Sequence, residues 1–94
     1  MVKKNIYIVA YDTPSNRRRV KFVKLLQSYG GIRKNKSVFE CLISLDKYRN
    51  LQKEMDQLIL PQKDVVLIYP LCQNCYSKAI MVGTKPTEPT VVNV

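Results

Sequence analysis

A chain of 94 residues, 46% hydrophobic and 24% charged, has the size and composition of one small globular domain rather than a disordered segment. No stretch approaches the ~18 apolar residues of a membrane-spanning helix, and the N-terminus alternates like a strand instead of offering a signal peptide with a cleavage site. The net charge of +9 lies wholly in the first 39 residues, where ten Lys and Arg accompany a single acid, Asp12. That asymmetry favours a polyanionic partner, RNA or DNA, because each cation that neutralises a phosphate releases counterions.

Asn5–Asp12 (NIYIVAYD) is apolar and β-branched at nearly every position, which predicts a central strand buried on both faces with Asp12 at its C-terminal edge. Thr13 followed by Pro14 predicts an N-cap and first helical residue, opening a helix over about 14–29. Phe22, Leu25, Leu26 and Tyr29 then form one buried stripe, while Arg17, Arg18, Lys21 and Lys24 take most of the remaining circumference. Gly30-Gly31 supplies the left-handed residue that closes such a helix.

Residues 32–36 and 37–45 read as two short strands around a turn near Asn35, with Phe39, Cys41, Ile43 and Leu45 on one face. Asp46 can cap a second helix whose apolar positions are Tyr48, Leu51, Met55, Leu58 and Ile59, and Pro61 ends it. Residues 64–71 return to strand. This order is the split βαβ pattern of a ferredoxin-like α+β fold, a βαββαβ antiparallel sheet with two helices on one face. The expected domain spans 1–78. Residues 79–94 are expected to form a C-terminal strand and tail, with Ala79–Gly83 strand-like, either an arm pairing with a partner subunit or a frayed tail. A domain this small leaves much surface unburied, so a homodimer is expected.

An isolated carboxylate ahead of Arg17-Arg18-Arg19 suggests a phosphate-binding surface. Mg²⁺ is commonly held by one or two carboxylates, waters and substrate phosphate oxygens, a need Asp12 can meet. The competing reading pairs Asp12 with Arg17, Arg18 or Arg19 across the loop. No histidine is present, which excludes a histidine-based nuclease. Tyr11 reads as core, its hydroxyl reaching a polar neighbour. Three cysteines, an odd number without a secretory signal, fit free thiols in a reducing cytoplasm, and Cys72-Gln-Asn-Cys75 is a lone pair too few for a structural zinc site.

Three blocks, Tyr11-Asp12 with RRRVKFVKLL, KSVFECLISL over 36–45 and DVVLIYPLCQNC over 64–75, together resemble the CRISPR-associated protein 2 family across residues 5–75. The resemblance implies a ferredoxin-like homodimer with facing sheets closed by C-terminal strands, and two copies of Asp12 near the two-fold axis. Members are described as metal-dependent endonucleases on RNA or double-stranded DNA, with Mg²⁺ or Mn²⁺ as cofactor. They are also described as non-catalytic scaffolds bridging dimers of the CRISPR-associated protein 1 integrase.

On this reading Asp12 is the metal ligand and catalytic residue, and Ser37, in the family's Ser-Val-Phe segment, orients a water or substrate oxygen unless its hydroxyl serves the backbone. Arg19, Lys21 and Arg33 align with basic positions linked to nucleic-acid contact. Arg17 and Arg18 join them by charge, with solvated surface as the alternative. Phe39 belongs to the core or the dimer interface. Asn35 departs from the Gln found in many relatives. A toxin-like ribonuclease of the same fold is a further alternative, whereas an RNA-recognition module needs more exposed strand aromatics than Phe39 provides.

Overall fold

The computed structural model describes residues 3–83. The elements are β1 (Lys4–Asp12), α1 (Asn16–Ser28), β2 (Ile32–Asn35), β3 (Val38–Ser44), α2 (Leu45–Leu58), β4 (Val65–Leu71) and a short α3 (Gln73–Ser77). The four strands form one sheet in the order β2-β3-β1-β4, with every neighbouring pair antiparallel. This is the ferredoxin-like α+β architecture expected from the element order.

Strand alternation sorts the side chains of β1 into two sets. Tyr7, Val9 and Tyr11 are buried, as are Phe39, Cys41 and Ile43 of β3, and α1 and α2 close over them with Phe22, Leu26, Leu51 and Met55. The Tyr7 ring stacks on Tyr48 at 4.1 Å between centroids, and Tyr11 stacks on Phe22 at 4.9 Å. The other set, Ile6, Ile8, Ala10 and Asp12, faces away from the helices.

By register, Leu71, Tyr69, Leu67 and Val65 of β4 lie beside these four, and Leu42 and Val38 of β3 lie opposite Ile6 and Ala10. Val65, Leu67, Tyr69 and Leu42 each expose half or more of their surface. The expectation that β1 is buried on both faces therefore holds for one face only. Its second face is apolar, and among the described residues no layer fully covers it.

Both helix starts differ from expectation. The Thr13 hydroxyl is taken by Asp64, so Ser15 caps α1, accepting from the Arg18 amide at 3.1 Å. In α2 the cap is Ser44, and Asp46 sits in the first turn, where its charge favours the positive end of the helix. The end of α1 follows the glycine pattern: Gly30 has φ +76°, its amide bonds to the Gln27 carbonyl at 3.0 Å, and the Gly31 amide reaches the Leu26 carbonyl at 2.8 Å.

Within the single chain Ala79–Gly83 follows α3 and carries no strand; the pairing expected for it is with a partner subunit. Residues 84–94 of the expected tail lie outside the described residues. Among the described residues no helix is long and apolar enough to cross a membrane.

Asp64, immediately before β4, ties the two ends of the fold together. Its carboxylate accepts from Arg18 Nε at 2.6 Å and Nη2 at 3.1 Å, from the Thr13 hydroxyl at 2.6 Å and from the Leu60 amide at 2.9 Å. The Arg18 guanidinium, with help from the Thr13 and Leu60 bonds, holds this carboxyl well below the usual carboxylate range, against the opposing effect of burial. A carboxylate depressed in the folded state stabilises fully above its unfolded value of about 3.9 and loses that contribution as pH falls through the folded value. Asp64→Asn is therefore expected to be less stable than wild type at pH 7, and urea unfolding from pH 7 to 2 should show the gap narrowing only below about pH 4.

Candidate functional site

Asp12 is the last residue of β1. Its neighbours in the sheet are Val65 on β4 and, two positions back, the Ala10–Val38 pair with β3. The preceding Tyr11 is buried toward the helices and the following Thr13 is buried beside Asp64, so alternation leaves Asp12 exposed on the opposite face, at the rim of the apolar surface.

Among the described residues Asp12 makes no ion pair. The carboxylate that pairs with the arginine run is Asp64, through Arg18. Sequence reasoning did not anticipate this partner, because the two residues are 46 positions apart and meet only when β4 pairs with β1. Its signal was visible nonetheless, as an acid heading an apolar strand in a chain poor in acids.

The expected basic residues divide between two jobs. Arg18 is engaged in a two-pronged bond to Asp64, which neutralises its charge in the free protein. Arg17 and Lys21 are exposed on α1, and Lys21 lines a shallow groove between the helices with Leu25, Glu54, Gln57 and Leu58. Arg19 reaches back to donate to the Thr13 carbonyl at 2.7 Å and also bonds Asn16. Arg33, on the edge strand β2, donates to the Lys36 carbonyl at 3.1 Å and lies 5.7 Å above the Phe39 ring.

Phe39 itself is fully buried, which makes it a core residue in this chain. Ser37 is half-buried in the β2–β3 turn, and its carbonyl accepts from the Tyr11 amide at 3.0 Å. The structure thus ties Ser37 to the backbone of Tyr11, and among the described residues no hydrogen bond joins its hydroxyl to Asp12.

Tyr11 departs from expectation in one respect. Its hydroxyl is buried and has no hydrogen-bond partner among the described residues. Burial raises its pKa, and the nearby Arg33 and Arg19 cations oppose that rise.

Among the described residues no three His, Cys, Asp or Glu side chains cluster. Among these residues an all-protein metal cage is therefore not built, and a metal at Asp12 would complete its shell with water and substrate oxygens. Cys72 and Cys75 are free and exposed at the start of α3, the Cys75 amide donating to Cys72 Sγ at 3.2 Å, while Cys41 is buried in the core. On the open face, Tyr76 of α3 donates to Glu40 at 2.7 Å and helps place α3 against the sheet.

Residues 5–79 match the family model described as CRISPR associated protein Cas2. The chain is 38% identical over 85 residues to a protein of Synechocystis named CRISPR-associated endoribonuclease Cas2 3, covering 89% of this chain and 91% of that protein. It is 41% identical over 68 residues to a Thermus thermophilus protein named CRISPR-associated endonuclease Cas2 2, covering 72% of this chain and 74% of that one. Among solved structures, Cas2 of Streptococcus pyogenes superposes with a TM-score of 0.75 at 25% identity, covering 83% of this chain and 99% of that chain. A hypothetical protein from Thermus thermophilus superposes with a TM-score of 0.77 at 36% identity, covering 88% and 95%.

The unpaired Tyr11 hydroxyl yields a two-part expectation. Tyr11→Phe should stabilise the free protein by about 1 kcal/mol in urea unfolding, since a buried group without a partner is removed. The same substitution should leave binding of a labelled oligonucleotide, measured by fluorescence anisotropy, unchanged, because the hydroxyl is buried in the core and does not reach the surface.

Proposed function

Because the chain belongs to the CRISPR-associated protein Cas2 family, we propose that it is a homodimeric, metal-dependent endonuclease acting on RNA or DNA phosphodiesters and a subunit of a spacer-integration complex with the CRISPR-associated protein 1 integrase. The observation that carries this reading is the Asp12 carboxylate, exposed at the rim of an apolar sheet face that is only partly covered by the described residues, and free of any ion pair among them. A second copy docked on that face would bury Leu67, Tyr69 and Leu42 and bring a second carboxylate toward the first.

In this reading Asp12 of each copy holds Mg²⁺ or Mn²⁺, which supplies charge neutralisation at the phosphate and activation of the attacking water. The remaining work falls to side chains of the chain itself. Arg17, Lys21 and Arg33 hold the nucleic-acid backbone electrostatically, Arg33 with a guanidinium suited to two phosphate oxygens at once. Arg19 adds a donor at the end of the sheet where β1 leaves for α1. Arg18 acts indirectly, through Asp64.

A second reading, a non-catalytic scaffold that bridges integrase dimers on duplex DNA, draws support from the single carboxylate per chain and the absence of a ligand cluster among the described residues. Both readings share the dimer and the basic surface, so cleavage separates them.

Asp12→Asn is expected to reduce cleavage of labelled single-stranded RNA and duplex DNA in Mg²⁺ or Mn²⁺ to the level seen with EDTA, while light scattering still reports a dimer. Equal cleavage by wild type and variant would remove Asp12 from the chemistry, and no cleavage by a folded wild-type dimer would favour the scaffold. Replacing Lys21 by Ala should weaken oligonucleotide binding irrespective of sequence and lower the slope of log affinity against log salt by about 1.

A further inference from the structure

Thr13 and Asp64 are the buried polar residues of the described chain, 3% and 5% exposed, and they lie against each other one step beyond the Asp12–Val65 pair that ends the β1–β4 ladder. Every oxygen of Thr13 is engaged. Its hydroxyl donates to Asp64 at 2.6 Å and accepts from the Ser15 amide at 3.2 Å, and its carbonyl accepts from Arg19 Nη2 at 2.7 Å. Asp64 is in turn fixed by the two-pronged Arg18 bond and by the Leu60 amide.

Such a cluster is a poor device for stability alone. Removing a carboxylate and a guanidinium from water is costly, and apolar residues of similar volume usually serve as well. What the cluster does provide is direction. A strand end is the part of a sheet that frays most readily, and Asp12 occupies one. With Thr13 locked to β4, to α1 and to its own loop, the chain leaves β1 along a single path, and the Cα–Cβ bond of Asp12 is held toward the open face.

We infer that Thr13, anchored by Asp64 and Arg18, is a positioning residue that holds the Asp12 carboxylate in its metal-binding orientation. This rests on the reading of Asp12 as a metal ligand. The hydroxyl of Thr13 touches neither metal nor substrate and acts only through the backbone it shares with Asp12.

The test is Mn²⁺ binding to the full-length dimer, followed as loss of the free-ion signal in electron paramagnetic resonance, with no substrate present. Thr13→Val keeps the shape of the side chain and removes the hydroxyl. It should raise the Mn²⁺ dissociation constant about tenfold, the scale associated with losing a group that orients a ligand. Thr13→Ser should restore it. Arg18→Lys retains the charge beside Asp64 without the fork, and should fall between the two.

A cluster that merely stabilised the fold would lower the melting temperature and leave the Mn²⁺ affinity of the folded dimer unchanged. Wild-type affinity in Thr13→Val and Arg18→Lys, alongside loss of binding in Asp12→Asn, would overturn the inference and spare the metal reading. Unaltered binding in Asp12→Asn would overturn both. Should Thr13→Val fail to fold, Arg18→Lys carries the same comparison.

Discussion

The two-residue period of β1 is the constraint on which the rest of the molecule depends. Alternate residues of a strand point to opposite faces, so one run of apolar side chains does two things at once. Tyr7, Val9 and Tyr11 build the core with Phe22, Leu26, Leu51 and Met55, while Ile6, Ile8 and Ala10 pave the opposite face and end at Asp12. A slip of one residue in the β1–β4 register would bury Asp12 beneath α1 and expose the tyrosines, which makes core packing and the placement of the carboxylate one and the same specification.

The two carboxylates at this end of the sheet have opposite circumstances. Asp64 is buried, surrounded by donors and paired with Arg18, and its charge is spent on architecture. Asp12 is exposed and free of ion pairs among the described residues. Arg18 and Asp64 satisfy each other on the helix side of the sheet, while Asp12 lies on the other face. Electrostatic self-satisfaction on the helix side thus leaves a negative group available on the open side.

The geometry also sets the route by which nucleic acid would meet the site. Arg17 and Lys21 lie on α1 and Arg33 on the edge strand β2, whereas Asp12 is on the opposite face of the sheet. Asp12 and the start of α1 meet at the end where β1 passes into α1. On the proposed function, a phosphate backbone using both groups would cross that end of the sheet. In a dimer joined through the open faces the same end would lie close to the junction between copies, which unites the apolar surface and the charged one in a single functional reading.

Much of the fold was legible because it is written in local periodicity. The helical spacing of Phe22, Leu25, Leu26 and Tyr29, the alternation of Phe39, Cys41 and Ile43, and the Gly30-Gly31 helix end each follow from backbone geometry that neighbours in sequence suffice to specify. Asp12 as a distinctive residue was likewise readable, from its isolation among cations. The true cap of α1, the pairing of Arg18 with Asp64 and the orphaned hydroxyl of Tyr11 were not, since each depends on groups that become neighbours only through the β1–β4 and β1–β3 pairings. Local pattern by itself determined the four strands of the sheet, the two long helices, their order and the candidate carboxylate, but not α3. Tertiary structure alone decided which acid is spent on an arginine and which is left free, because that choice is made by residues 46 apart in the chain and hydrogen-bonded in space.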